Sequence, residues 1–279
     1  MTTILFRFKL AAAIAAFMFL VCENIYAAEN ADKNNVLRIA QLSDPQLGFG
    51  KDGFDADVKR FEQEVEQVNA LSPDLVLIAG DLVNKLDKKS AAAFKKTSAK
   101  IKFPVILAAG NHDLPDPVTA ENLKRYRETF GDDFIVRECK GRLIVCANSQ
   151  LWRKAPKDET EKQDQKLHET LSIAKGKNLP VILMTHVPPF VNKPDEKDAY
   201  SNLPQKKRAE LLALAKESGV FIWIAGHIHK TKRHEIDGIT ILNGETTSQN
   251  FDKRPFGFRL LTVQPDNKFE WDFQQLKTE

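Results

Sequence analysis

The side chains best able to do chemistry in this sequence stand in five places, and each follows a short apolar run. PVILAAG releases Asn111, His112 and Asp113 together, VLRIAQL precedes Ser43-Asp44-Pro45-Gln46, DLVLIAG precedes Asp81, PVILMT precedes His186, and GVFIWIAG precedes His227-Ile228-His229. A core needs none of these polar groups, so runs that repeatedly end in them read as strands whose carboxyl ends converge on one site. Asp44, Asp81, Asn111, His186, His227 and His229 offer carboxylate oxygen, amide oxygen and imidazole nitrogen, a mixture suited to Mn, Fe or Zn rather than Ca or Cu(I). That many donors exceeds what one tetrahedral ion takes, which points to two ions bridged by a carboxylate. Of the six histidines, His112, His186, His227 and His229 follow strands, whereas His168 and His234 do not and are expected to pack or face solvent.

Alternating elements must hold those groups in place. Val58, Phe61, Val65, Val68 and Leu71 recur at three and four, which predicts an amphipathic helix over 54–71 closed by Pro73. A strand over 74–79, a helix over 88–101, the strand before Asn111, and a helix over 119–130 follow, the last with Thr119 as N-cap and Gly131 just past its end. A hairpin over 133–149 turns at Lys140-Gly141; its register sets Cys139 opposite Arg142 and Cys146 opposite Ile135, leaving two buried free thiols. Next come a helix over 159–175, a strand over 180–184, a helix over 204–217 and a strand over 219–225. The rest reads as strands only, over 233–236 and 239–243 across Asp237-Gly238, then 256–263 and 268–273. Strand–helix alternation followed by antiparallel strands implies an α/β protein of two sheets packed face to face with helices outside, forming one domain over 36–279. In open α/β sheets ligands bind beyond the carboxyl ends of strands, where all five polar clusters fall.

The chain has 279 residues, is 42% hydrophobic and 28% charged, and carries a net charge of +3. It can therefore bury a sizeable core, and nothing in its balance of charge calls for a polyanionic partner; no nucleic-acid-binding module is evident. Its first 28 residues differ: Arg7 and Lys9 form a basic start, Leu10 to Val21 is an apolar run, and Tyr26-Ala27-Ala28 offers small residues for cleavage. This is the layout of a secretory signal peptide, too short to span a bilayer comfortably, so no membrane span is expected in the mature chain. Residues 29–35 read as a polar linker, and the mature protein is expected to be exported to the periplasm or secreted.

These motifs together resemble a known family. Asp44-Pro45-Gln46, Gly80-Asp81-Leu82-Val83-Asn84, Gly110-Asn111-His112-Asp113, Thr185-His186 and Gly226-His227-Ile228-His229 are similar to the ordered motifs of calcineurin-like metallophosphoesterases. The resemblance implies a four-layer αββα sandwich of two mixed β-sheets around a dinuclear centre of divalent or trivalent transition-metal ions (Mn, Fe or Zn). It implies that Asp81 bridges the ions, that Asp44 and His229 bind the first, and that Asn111, His186 and His227 bind the second. Asn111, His112 and His186 would meet the substrate phosphate, with His112 assisting the leaving oxygen and Asp113 bracing the loop.

Two positions depart from the usual pattern. The first motif is commonly D-x-H, and here Gln46 stands in place of the histidine, so the first ion would gain only an amide oxygen. The same substitution resembles the branch of calcineurin-like phosphoesterase domain-containing protein 1. Asn84 stands where many phosphomonoesterases place an Asp that orients the catalytic histidine; it could accept a hydrogen bond from His112 but would add no charge. Two cations about 3.5–4 Å apart lower the pKa of a shared water toward ~7 and supply hydroxide for in-line attack.

The expected function is thus hydrolysis of phosphoric esters, with a phosphorylated small molecule or a phosphoprotein (Ser/Thr) as substrate. A phosphodiesterase acting on cyclic or linear nucleotides is the alternative, followed by a non-catalytic binding protein on the same scaffold. Three stretches could wall the cleft: 187–203 with Phe190, Lys193 and Tyr200; 148–154 with Trp152 and Arg153; and the stretch of Glu245, Thr246 and Phe251.

Overall fold

Strands that are apolar on both faces must separate two packed layers, and this chain is built around several of them. In the computed structural model, which describes residues 35–277, the strands are β1 (Leu37–Leu42), β2 (Leu75–Ile78), β3 (Val105–Leu107), β4 (Ile135–Cys139), β5 (Arg142–Cys146), β6 (Val181–Met184), β7 (Val220–Ala225), β8 (Lys232–Ile236), β9 (Ile239–Asn243), β10 (Gly257–Val263) and β11 (Phe269–Gln275). The helices are α1 (Phe54–Leu71), α2 (Lys88–Ser98), α3 (Ala120–Phe130), α4 (Lys157–Gly176) and α5 (Gln205–Glu217). The expected signal peptide and all but the last residue of the expected linker lie outside the described residues. No helix among the described residues is long and apolar enough to cross a membrane.

The strands form two mixed sheets, one ordered β11-β10-β1-β2-β3 and the other β4-β5-β6-β7-β9-β8. Period-two alternation assigns each side chain to a layer. Ile39, Leu75, Leu77, Ile144, Ile182, Met184, Ile222 and Ile224 meet in an apolar slab between the sheets. Their neighbours in sequence point outward: Ala40, Leu42, Val76 and Ile78 pack under Phe61, Val65 and Val68 of α1 and Phe94 of α2. On the other outer face Val145, Val181, Leu183 and Trp223 pack under Leu167 and Leu171 of α4 and Leu211 of α5. Helix, sheet, sheet and helix are therefore the four layers expected.

Local signals hold where the chemistry is local. Thr119 caps α3 in a reciprocal box with Asn122, an arrangement worth about 1 kcal/mol. Lys140-Gly141 and Asp237-Gly238 each adopt positive φ at both turn residues, the geometry that matches the twist of a two-residue hairpin. Cys139 faces Arg142, Cys146 faces Ile135, and both thiols are free, but only Cys146 is buried as expected; Cys139 is half-buried, because β4 is an edge strand. Several boundaries shift by one to three residues from expectation, and two of the differences have a local cause. Helix α2 stops at Ser98 rather than 101, because Lys100 and Ile101 donate back to the carbonyls of Thr97 and Ser98 in a tightened final turn. Strand β3 is only three residues long, since the backbone leaves the sheet early to carry Asn111 and His112 to its end.

Candidate metal centre

The parallel strands β1, β2 and β3 of one sheet, and β6 and β7 of the other, end on the same rim of the sandwich. The loops after them bring Asp44, Asp81 and Asn111 against His186, His227 and His229. The backbone N–H of His227 donates to both carboxylate oxygens of Asp44 at 3.1 Å, which stitches the two sheets together at this rim. Asp44, Gln46, Asp81, His227 and His229 all adopt positive φ, a backbone region that non-glycine residues rarely occupy and that costs free energy held by surrounding structure. Close approach enforces glycine beside them. A Cβ on Gly80 would stand 2.6 Å from the His186 ring, and one on Gly110 would fall on the backbone N and carboxylate of Asp81.

Two donor groups result, and they share one residue. Asp81, His186 and His227 form one, and Asp44, Asp81 and His229 the other, with ligand atoms in each within 4.8 Å of one another. Each histidine spends one ring nitrogen on a backbone carbonyl: His186 Nδ1 on Ala79 at 2.7 Å, His227 Nε2 on Tyr200 at 2.9 Å, and His229 Nδ1 on Gln249 at 2.7 Å. With one nitrogen committed in this way, the second nitrogen of every ring is the one left to take a proton or a metal ion. For His186 that nitrogen lies 3.1 Å from Asn111 Oδ1 and 3.4 Å from Asp81 Oδ1, and for His229 it lies 3.4 Å from Asp44 Oδ1. Lone pairs facing carboxylates attract only when a proton or a metal ion lies between them.

The titration behaviour agrees. Burial alone would lower the His186 pKa, but the carboxylate of Asp81, and then Asp44, drive it up to about 9. His229 is raised against its burial by Asp44. Burial and then the charge of His186 depress His227 to about 4, while Asp81 is held low, against its burial, by His186. Gln46 supplies a further sign: its side chain is fully buried, and neither its amide oxygen nor its nitrogen has a hydrogen-bond partner among the described residues. An orphaned buried amide is costly unless something outside the chain satisfies it. The donor set thus fits a pair of metal ions.

His112 stands apart from both groups. Its ring Nδ1 contacts the main-chain carbonyl of Asn84 at 2.9 Å, and its own N–H donates to Asp81 Oδ1 at 2.9 Å. The expected orienting role of Asn84 therefore belongs to its backbone: the side chain turns away and donates to Gly48 O at 3.1 Å. Asp113 braces the loop as expected, accepting from the backbone amides of Leu82, Val83 and Gly110 at 3.0 to 3.1 Å. Burial, then the neighbouring Asp81, push its carboxyl up to about 8 against those three amides.

The walls are partly those expected. Tyr200 reaches the centre, its hydroxyl accepting from Asn111 Nδ2 at 2.7 Å, and Arg153 Nη1 donates to the Tyr200 carbonyl at 2.8 Å. Trp152 instead turns into the core and donates to Asp164, and Glu245 is buried against Arg259. Thr246 and Ser248 grip the Asp44 carbonyl, and Phe251 stacks on the His229 ring with centroids 5.0 Å apart. Phe49, which nothing in its glycine-rich loop singled out, sets its edge against both His112 and His229. His168 is exposed and His234 packs against Phe190, both outside the site.

Comparison with known proteins follows the same lines. Residues 37–231 match the family model described as Calcineurin-like phosphoesterase. The chain is similar to the rat (Rattus norvegicus) protein named Serine/threonine-protein phosphatase CPPED1, 28% identical over 246 residues covering 80% of this chain and 79% of that one. It is also similar to the Pseudomonas aeruginosa protein named 3',5'-cyclic adenosine monophosphate phosphodiesterase CpdA, 25% identical over 83% of this chain and 87% of that one. Among solved structures, a dimetal phosphatase from Danio rerio shares the fold with a TM-score of 0.62 at 14% identity, covering 86% of this chain and 99% of the other.

Proposed function

The chain belongs to the calcineurin-like phosphoesterase family and is a metal-dependent hydrolase of phosphoric esters, and within that chemistry we propose that it is a phosphomonoesterase acting on phosphorylated Ser or Thr side chains or small phosphomonoesters. The observation that carries this reading is the sharing of Asp81 between two donor groups, with His112 beside them and outside both. We assign Asp44, Gln46, Asp81 and His229 to a first ion and Asp81, Asn111, His186 and His227 to a second, each Mn, Fe or Zn. When bound, two such ions supply Lewis acidity toward water and the phosphoryl oxygens.

The chain's own residues do the rest. Asn111 and His186 would meet a phosphoryl oxygen, and His112, its Nδ1 held on the Asn84 carbonyl, keeps Nε2 to hand a proton to the departing alkoxide. A main-chain carbonyl rather than a carboxylate thus contacts that ring nitrogen. A cavity of about 560 Å³, lined by Asn84, Lys85, His112, Asp116, Arg125 and Tyr200, gives the leaving group room on the same side.

Hydrolysis of p-nitrophenyl phosphate against bis(p-nitrophenyl) phosphate, with Mn²⁺ supplied, tests the reading. Faster turnover of the monoester is expected, and a strong preference for the bis ester overturns it in favour of a phosphodiesterase, as the likeness to the Pseudomonas protein would favour. Export is proposed from the basic start, apolar run and small residues of the first 28 positions. N-terminal sequencing of protein recovered outside the cytoplasm should begin near Ala28 or Glu29; an intact Met1 overturns cleavage.

A further inference from the structure

Tyr200 touches both an amide and an imidazole of the proposed second ion's donor set. Its hydroxyl oxygen accepts from Asn111 Nδ2, and its main-chain carbonyl accepts from His227 Nε2. The direction of the first bond follows from chemistry. Asn111 turns Oδ1 toward His186 Nε2 at 3.1 Å, so its NH₂ group must point outward, and an NH₂ only donates. The Tyr200 oxygen is therefore the acceptor, and its own O–H proton remains unspent among the described residues.

The phenol is also held still. Arg153 lies over the ring, 5.1 Å from its centroid, while donating to the Tyr200 carbonyl, and Arg153 Nε pairs with Asp116 at 3.3 Å. The loop that carries Tyr200 is tied internally: Glu196 accepts from Val191 N and Asn202 Nδ2, both at 2.7 Å, and Asn202 Oδ1 accepts from Ala199 N. A tyrosine serving only as packing would be covered, yet Tyr200 is 62% exposed and lines the cavity beside Asn111 and His112.

We propose, on the footing of the phosphoesterase reading, that the Tyr200 hydroxyl is a substrate-binding group that donates its proton to a non-bridging phosphoryl oxygen of the ester held beside Asn111. A surface tyrosine that merely braces Asn111 is the competing account, and the two differ in what the hydroxyl contributes once phosphate is bound.

The test is Tyr200→Phe in the full mature chain loaded with Mn²⁺, because phenylalanine keeps the ring, the Arg153 contact and the main-chain carbonyl. Metal content is measured by elemental analysis, and inorganic phosphate is titrated calorimetrically into wild type and variant. The expected result is unchanged metal content and phosphate binding weakened about tenfold or more, the scale of one hydrogen bond to a charged oxygen. KM for p-nitrophenyl phosphate should rise in parallel. A smaller weakening overturns the proposal, and so does loss of metal, which would make Tyr200 a positioning residue for Asn111. Wild-type protein that binds phosphate but hydrolyses no ester sinks the hydrolase reading while leaving the Tyr200 measurement intact; wild type that takes up Mn²⁺ and binds no phosphate sinks both.

Discussion

The backbone N–H of His112 donates to Asp81 Oδ1 at 2.9 Å, so the residue whose ring we propose to serve the leaving group also steadies the carboxylate common to both donor groups. Ring and backbone thus have separable duties. His112→Ala removes the imidazole and leaves the amide, so metal content should match wild type while kcat falls about 10²–10⁴-fold, the usual worth of a general acid. Elemental analysis alongside turnover of p-nitrophenyl phosphate checks this. Lost metal would place the ring among the ligands.

Asp113 is fully enclosed and accepts three backbone amides that shape the loops of Asp81 and Asn111. Truncation in Asp113→Ala strands those donors in the interior, and the expected loss of stability is about 2–4 kcal/mol. Chemical denaturation of the metal-free protein measures it directly. A change within experimental error would mean that water replaces the carboxyl without penalty.

Metal uptake should be linked to proton release. In the metal-free protein His186, with burial opposing and Asp81 prevailing, titrates at about 9, so at pH 7 its Nε2 carries a proton that an incoming ion must displace. His227, depressed to about 4, is already neutral and gives up none. Mn²⁺ affinity should therefore climb as pH rises from 6 toward 9 and flatten above it. Calorimetry in buffers of different ionisation enthalpy should find on the order of one proton released per chain at pH 7. Affinity that falls over this range would contradict the assignment.

Gln46 offers an amide where an imidazole would bind more strongly, and its buried side chain has no partner among the described residues. Its φ of 37° is one that histidine tolerates better than most residues. Gln46→His should tighten the weaker of the two Mn²⁺ sites, lowering its midpoint in a titration followed by activity and by bound metal. An unchanged midpoint would place the Gln46 side chain outside the coordination sphere.

Much of this centre could be read before any coordinates, for a physical reason. Carboxylates, amides and imidazoles at strand ends announce themselves by residue type, and period-two apolar runs announce the strands that aim them. What escaped were contributions from the main chain. The carbonyls of Ala79, Asn84, Tyr200 and Gln249 choose the ring nitrogen that each histidine keeps free, and a carbonyl looks the same at every position of a sequence. Asn84 shows this most clearly: its side chain invited an orienting role, and its backbone performs it. Phe49 was hidden for a different reason, because a lone aromatic in a loop acquires meaning only from the rings that fold against it.

Each donor group draws on both sheets: Asp44 and Asp81 arrive on one, His186, His227 and His229 on the other. The pair of ions would then act as a clasp across the seam, with the dry slab of Ile39, Leu77, Ile182 and Ile224 setting how far its jaws stand apart. A methyl group removed deep in that slab, remote from water and from any phosphate, would be felt at the rim as an altered grip on metal. Packing at the centre of the sandwich and affinity at its edge are two readings of one spacing.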